Sequence, residues 1–228
     1  MTSISANLQA VHARISAACA AAGRDPAGVR LLAVSKTWPA EAVREAASRG
    51  ERAFGESYVQ EAVAKIAALA DLALEWHFIG PLQSNKTRPV AQAFAWVHSI
   101  DRLKIAERLS AQRPAGMAPL QVCVEVNLGG EASKSGCAPA EAIELARRVA
   151  QLPNLALRGL MAVPEADAAV ARQRFAELRH LRDRIETECG LRLDTLSMGM
   201  SHDLEAAIAE GATIVRVGTA IFGARDYR

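Results

Sequence analysis

Eight short apolar runs, beginning near residues 31, 52, 75, 96, 119, 155, 194 and 213, recur along the chain at a mean spacing of 26 residues. Between them lie Ala-, Leu-, Arg- and Glu-rich stretches, such as 140–149 and 168–187, whose apolar residues return every three or four positions. The runs read as strands and the stretches as amphipathic helices. The runs are almost continuously apolar, which suits strands buried on both faces of a parallel sheet. Eight strand–helix units at this pitch predict an α/β fold, a single (β/α)8 TIM barrel, whose usual length of ~250 residues is close to the 228 here. An open doubly wound sheet is the competing arrangement. Ahead of the first strand, Ile4, Leu8, Val11, Ile15, Cys19 and Ala22 mark an extra N-terminal helix closed by Gly23 and Pro26. No helix is expected after the eighth strand, because the chain ends at Arg228, and the N-terminal helix is expected to cover that gap. Without a linker or low-complexity tract, residues 1–228 are expected to form one domain.

Composition narrows the function classes. Half the residues are apolar, as a globular chain requires. A net charge of +2 leaves no broad basic footprint, so no nucleic-acid partner is expected. No apolar run reaches 18 residues, so no membrane span is expected. Cys19, Cys123, Cys137 and Cys189 are far apart, with no CxxC pair and no histidine at ligand spacing. They read as reduced thiols rather than as disulfides or a metal site. His12 and Arg14 interrupt the first apolar stretch, so no leader is read there and a cytoplasmic location is expected.

Barrels of this kind carry their sites at the carboxyl ends of the strands. Lys36 follows Leu31-Leu32-Ala33-Val34-Ser35 and shares a face with Leu32 and Val34 by strand parity. It reads either as an amine able to condense with a carbonyl or as a solvated lysine leaving a strand. The turns Met198-Gly199-Met200-Ser201-His202-Asp203 and Gly218-Thr219-Ala220-Ile221-Phe222-Gly223 follow the seventh and eighth strands. Their backbone N–H groups suit a phosphate; alternatively Ser201 or Asp203 merely caps a helix. Arg216 interrupts an apolar strand and needs a buried partner or a ligand. Together these features suggest a phosphorylated aldehyde. Pyridoxal 5'-phosphate (PLP) fits all of them, and a lysine-dependent sugar-phosphate aldolase fits the first two.

The chain resembles the pyridoxal phosphate homeostasis protein family, itself similar to the barrel domain of bacterial alanine racemase. The resemblance rests on Leu32 to Thr37, Phe54-Gly55-Glu56 with Tyr58 to Glu61, and Trp76 to Gly80 with Leu82-Gln83 and Asn85-Lys86. It continues through His98 to Asp101, Val126-Asn127, Lys134 to Gly136, Arg158 to Met161, Ser197 to Ser201, and Arg216 to Gly223. It implies PLP held as a Schiff base on Lys36, with Val34, Ser57, Met200, Ser201, Arg216, Gly218 and Thr219 around it and no metal. Arg216 would face the pyridine nitrogen and keep it unprotonated, weakening the ring as an electron sink. The implied role is intracellular PLP homeostasis by a monomeric carrier without a strong catalytic cycle, with PLP-dependent apo-enzymes as partners. The alternative is an amino-acid racemase. The racemases resembled draw a second base, a tyrosine, from a further domain, which this chain is expected to lack.

Two positions depart from the family pattern. Ser57 stands where the family commonly has Asn, and Trp38 where it often has a second lysine. His77 reads as a base, a ring-stacking group or a hydrogen-bonded core residue. Glu56 reads as a group orienting the barrel mouth or as a partner of a lysine. Lys86 and Arg88 read as an anion guide or a solvated helix face, and Tyr227 as a fraying terminus.

Overall fold

Each apolar run forms a strand in the computed structural model, which describes residues 3–131, 134–165 and 167–224. In chain order the elements are α1 (Ile4–Ala21), β1 (Arg30–Val34), α2 (Ala40–Ser48), β2 (Ala53–Glu56), α3 (Val59–Ala68) and β3 (Glu75–Phe78). Next come α4 (Thr87–Ala93), β4 (Trp96–Ile100), α5 (Leu103–Gln112), β5 (Leu120–Glu125), α6 (Pro139–Val149) and β6 (Leu155–Met161). The last are α7 (Ala168–Cys189), β7 (Thr195–Ser197), α8 (Leu204–Ala209), β8 (Ile214–Val217) and α9 (Thr219–Phe222).

The strands pair in parallel in sequence order and close, β8 returning to β1 with Leu32 opposite Arg216. Alternation along each strand separates two cores. Leu31, Ala33, Val215 and Val217 point outward into the shell between strands and helices. Leu32, Ala53, Trp96, Cys123, Met161 and Ile214 pack together inside the barrel. Between β6 and β7 the backbones approach so closely that a Cβ on Gly159 would lie 1.7 Å from the Thr195 carbonyl oxygen, so no larger residue fits.

A short helix, α9, does follow β8, contrary to the sequence expectation. Four residues in one turn do not fill the position of a barrel helix. α1 fills it, packing against α2, α8 and α9. Leu8, Val11, Ile15, Ala18 and Cys19 form its buried stripe, each large apolar side chain contributing ~1.5–3 kcal/mol. The Ser3 hydroxyl caps α1 by accepting from Ala6 N–H at 3.2 Å. All four cysteines are free thiols. Among the described residues no helix is long and apolar enough to cross a membrane.

Candidate functional site

At the carboxyl ends of β1, β7 and β8 the barrel opens into a cavity of about 240 Å³. Val34, Lys36, Met200, Ser201, Arg216, Gly218 and Thr219 all line it, so the structure gathers seven of the residues singled out from sequence. Ile79, Val163 and His202 complete the lining. Ser57 is not among them. It sits half-buried beside the end of β3, its carbonyl oxygen 2.5 Å from where a Cβ on Gly80 would stand.

The wall formed by the last two turns depends on glycine. Gly199 has φ +91°, and a Cβ there would meet that of Ala207 at 2.5 Å, so the chain can turn this tightly only without a side chain. The two turns are tied together. Ser201 Oγ accepts from Ala220 N–H at 3.4 Å, and Asp203 Oδ1 accepts from Met200 N–H at 2.5 Å. α1 braces them from outside. Arg14 donates to the Ser201 carbonyl at 3.0 Å, and Asn7 donates to that of Ile221 at 2.8 Å. At the start of α9, Ala220 N–H is taken by Ser201 Oγ and Ile221 N–H by the Gly218 carbonyl, so the N–H groups of Gly218 and Thr219 are the ones that precede the ladder and face an anion.

Lys36 is half-buried, and the backbone on each side of it is held by α3 and β2. Lys65 Nζ donates to the Ser35 carbonyl at 2.8 Å, to Glu56 Oε1 at 2.6 Å and to Glu61 Oε1 at 2.9 Å. Ser35 Oγ donates to Glu56 Oε1 at 2.6 Å, and Thr37 N–H donates to Glu61 Oε1 at 2.6 Å. Thr37 adopts φ +70°, a conformation that strains a β-branched residue, and the Glu61 bond helps hold it there. Glu56 shares its parity with Phe54 and therefore lies behind the barrel wall. It is the lysine partner, not a mouth group. Burial pushes its carboxyl above the usual range, against the opposing pull of Lys65.

Arg216 is 4% exposed and points into the barrel with Ile214. It donates to the Ser197 carbonyl, to Ser197 Oγ at 3.0 Å and to the Ala162 carbonyl at 2.9 Å. Burial lowers its pKa to about 10, opposed by the negative charges of Glu125 and Asp203. It therefore stays protonated at neutral pH.

Other singled-out residues lie elsewhere. His77 is fully buried below the mouth, stacked on Trp96 with ring centroids 5.3 Å apart and bonded to Glu75 and His98. It is a core histidine, one layer beneath the cavity. Lys86 and the exposed Arg88 do not line the cavity. Trp38 packs on Phe222, ring centroids 5.9 Å apart. Tyr58 is 53% exposed and precedes α3. Tyr227 lies outside the described residues.

Glu61, His98 and Ser197 stand in the resembling segments with no role assigned from sequence, and Lys65 lies outside them. Glu61 and Lys65 are four apart, which by itself reads as a surface helix pair. Strand parity places His98 inside with Trp96, a signal that was there to be used.

A closed parallel barrel with a lysine, an arginine and two tight turns at one mouth defines the class. The description of the family "Alanine racemase, N-terminal domain" matches residues 6–226, and the chain belongs to that family. Within it the chain stands with the pyridoxal phosphate homeostasis proteins. It is 66% identical to that of Pseudomonas aeruginosa over 229 residues, covering 100% of this chain and 98% of the relative. It is 54% identical to that of Escherichia coli K12 over 236 residues, covering 100% and 99%. Among solved structures, Synechococcus elongatus PipY with PLP bound superposes with TM-score 0.85 at 39% identity, covering 96% of this chain and 100% of PipY. Alanine racemase from Corynebacterium glutamicum shares the fold at 18% identity and TM-score 0.65, covering 96% of this chain and 62% of the racemase.

Proposed function

We propose that this chain binds pyridoxal 5'-phosphate and takes part in intracellular PLP homeostasis as one 1–228 domain, a cytoplasmic monomer that exchanges its cofactor with PLP-dependent apo-enzymes. The observation that carries the reading is the convergence of Lys36, Arg216 and the two turns on one cavity. The donor set fits the group. Two cations and backbone N–H groups suit a phosphorylated, anionic aldehyde, and among the described residues no carboxylate lines the cavity.

Bound PLP supplies an aldehyde that condenses with an amine and a ring that can draw electrons. Lys36 is the amine. Ser201, Gly218 and Thr219 would hold the phosphate, with the Met200 backbone beside them, and Val34 lines the wall. Ser57 stands at the neighbouring strand end, just past β2 and outside the cavity lining. Arg216, a permanent donor, would hold the pyridine nitrogen without giving it a proton, which would restrain carbanion chemistry. A two-base racemase needs a proton acceptor on each face of the ring. Lys36 and His202 both line the cavity, so a racemisation assay separates the carrier from the racemase.

The test is the visible spectrum of the protein with added PLP, beside Lys36→Ala, before and after borohydride. Wild type should turn yellow and retain the group covalently after reduction, and Lys36→Ala should not. Transfer to an apo-enzyme, with little alanine racemisation, should follow. A wild type that takes up no PLP overturns the assignment.

A further inference from the structure

Behind Arg216 a line of polar side chains crosses the barrel interior, and neither the cavity nor the fold accounts for it. Arg216 Nη1 donates to Ser197 Oγ at 3.0 Å. Ser197 Oγ lies 2.7 Å from His98 Nδ1, and His98 Nε2 lies 2.9 Å from His77 Nδ1. His77 Nε2 lies 2.7 Å from Glu75 Oε1, and Glu75 pairs with Arg30 at 2.6 Å on the floor of the barrel. Ser197, His77 and His98 are essentially inaccessible to water, so each link must be made within the protein.

The two ends determine every proton between them. A carboxylate accepts only, so His77 Nε2 carries a proton and donates to Glu75. Neutral His77 then presents Nδ1 as an acceptor, and His98 Nε2 must donate to it. His98 Nδ1 is left as an acceptor, and the Ser197 hydroxyl donates to it. The Ser197 oxygen is thereby turned to accept from Arg216, which can only donate. Reversing any one link would put two donors or two acceptors face to face. Burial disfavours a positive charge on either ring; Arg216 and Arg30 add to it at His98, and at His77 burial outweighs the opposing pull of the Glu75 carboxylate. Trp96, stacked on His77 and with the Arg158 guanidinium 5.4 Å from its ring centroid, packs beside the line.

We propose that Glu75, His77, His98 and Ser197 form a one-way hydrogen-bond relay that fixes the guanidinium of Arg216 in the cavity. Ser197 and His98 are positioning residues for the ring that Arg216 meets there; this last clause rests on the PLP reading above. The relay explains why two histidines and a serine occupy the interior, where the neighbouring layer is Leu32, Cys123 and Met161.

The experiment pairs two readouts on the full chain. Long-range 1H–15N correlation spectra report the tautomer of each of the five histidines, with His77→Gln and His98→Gln assigning the two interior signals. Both should be neutral with the proton on Nε2, and Glu75→Gln should shift both, although His98 does not touch residue 75. PLP titration of Ser197→Ala should show about tenfold weaker uptake, the value of roughly one lost charge-assisted bond, and Ser197→Thr should restore it. An Nδ1–H tautomer or an imidazolium at either position overturns the relay. So does Ser197→Ala taking up PLP like wild type. A wild type with the derived tautomers that takes up no PLP overturns the cofactor reading and leaves the relay standing.

Discussion

Behind Lys36, outside the barrel wall, Lys65 sits within 2.9 Å of two carboxylates and a carbonyl. Behind Arg216, inside the wall, stand a hydroxyl and two imidazoles whose basicity burial lowers. Each region positions one cation of the same cavity, and each does so with buried polar groups. The outer clamp is ionic and acts on the backbone of Ser35 and Thr37. The inner relay is neutral between its charged ends and acts on a side chain. A buried ion pair has already lost its hydration, so removing one partner strands a charge. A neutral ring that loses a partner strands only a hydrogen-bonding group. The two halves of the mouth should therefore break by different amounts and answer differently to pH.

The largest effect is expected at the clamp. Lys65→Met leaves Glu56, 0% exposed, without its cation, and urea denaturation should show a loss of about 3–5 kcal/mol. Adding Glu56→Leu should recover much of it, because the stranded charge is gone. A loss below about 1 kcal/mol in the single variant would erase the distinction between ionic and neutral support. Next in size is His98→Phe, which leaves the Ser197 hydroxyl and His77 Nδ1 unpaired. About 2 kcal/mol should be lost in the same assay.

The pH response should be smaller and of defined sign. The folded pKa of His98 lies well below its ordinary value, chiefly through burial. The folded chain therefore refuses a proton that the unfolded chain accepts. Stability from this group is complete above about pH 6.5 and falls as pH drops below it. Glu125, raised to about 7 by burial, has the opposite sign. Its folded form holds a proton that the unfolded form releases, so its contribution is lost as pH rises from 4.5 to 7. Comparing wild type with His98→Gln at each pH cancels Glu125 and isolates the ring. A flat difference between pH 7 and 5.5 would mean that His98 is not held neutral. The smallest effect is expected at Arg44, which pairs with Asp71 at 2.6 Å on the open surface. Arg44→Ala should leave the denaturation midpoint unchanged, because water already serves both charges.

Much of this was legible in the chain. The spacing of the apolar runs predicts the eight strands to within about a residue of where they begin, because parallel strands buried on both faces leave an unbroken apolar signal. Lys36 and Arg216 are visible because a charge in an apolar strand is rare. The helix after β8 was missed because one turn of helix has no periodicity to detect. The clamp was missed for another reason. Glu61 and Lys65 look like an ordinary surface pair, Glu56 reads equally as a mouth group or a lysine partner, and only the packing of α3 against the end of β1 buries Lys65 against Glu56.

By itself the sequence determined the order and kind of the elements, the face each strand turns inward, and the two cations at one mouth. Those follow from periodicity and parity, which are local properties of a chain. Tertiary structure decided which groups meet. Closing the sheet brought residue 98 within 2.7 Å of residue 197, and residue 216 beside them, across distances no local pattern spans. Once water was excluded from that interior, every polar group in it had to find a protein partner, and the direction of each hydrogen bond followed from its neighbours.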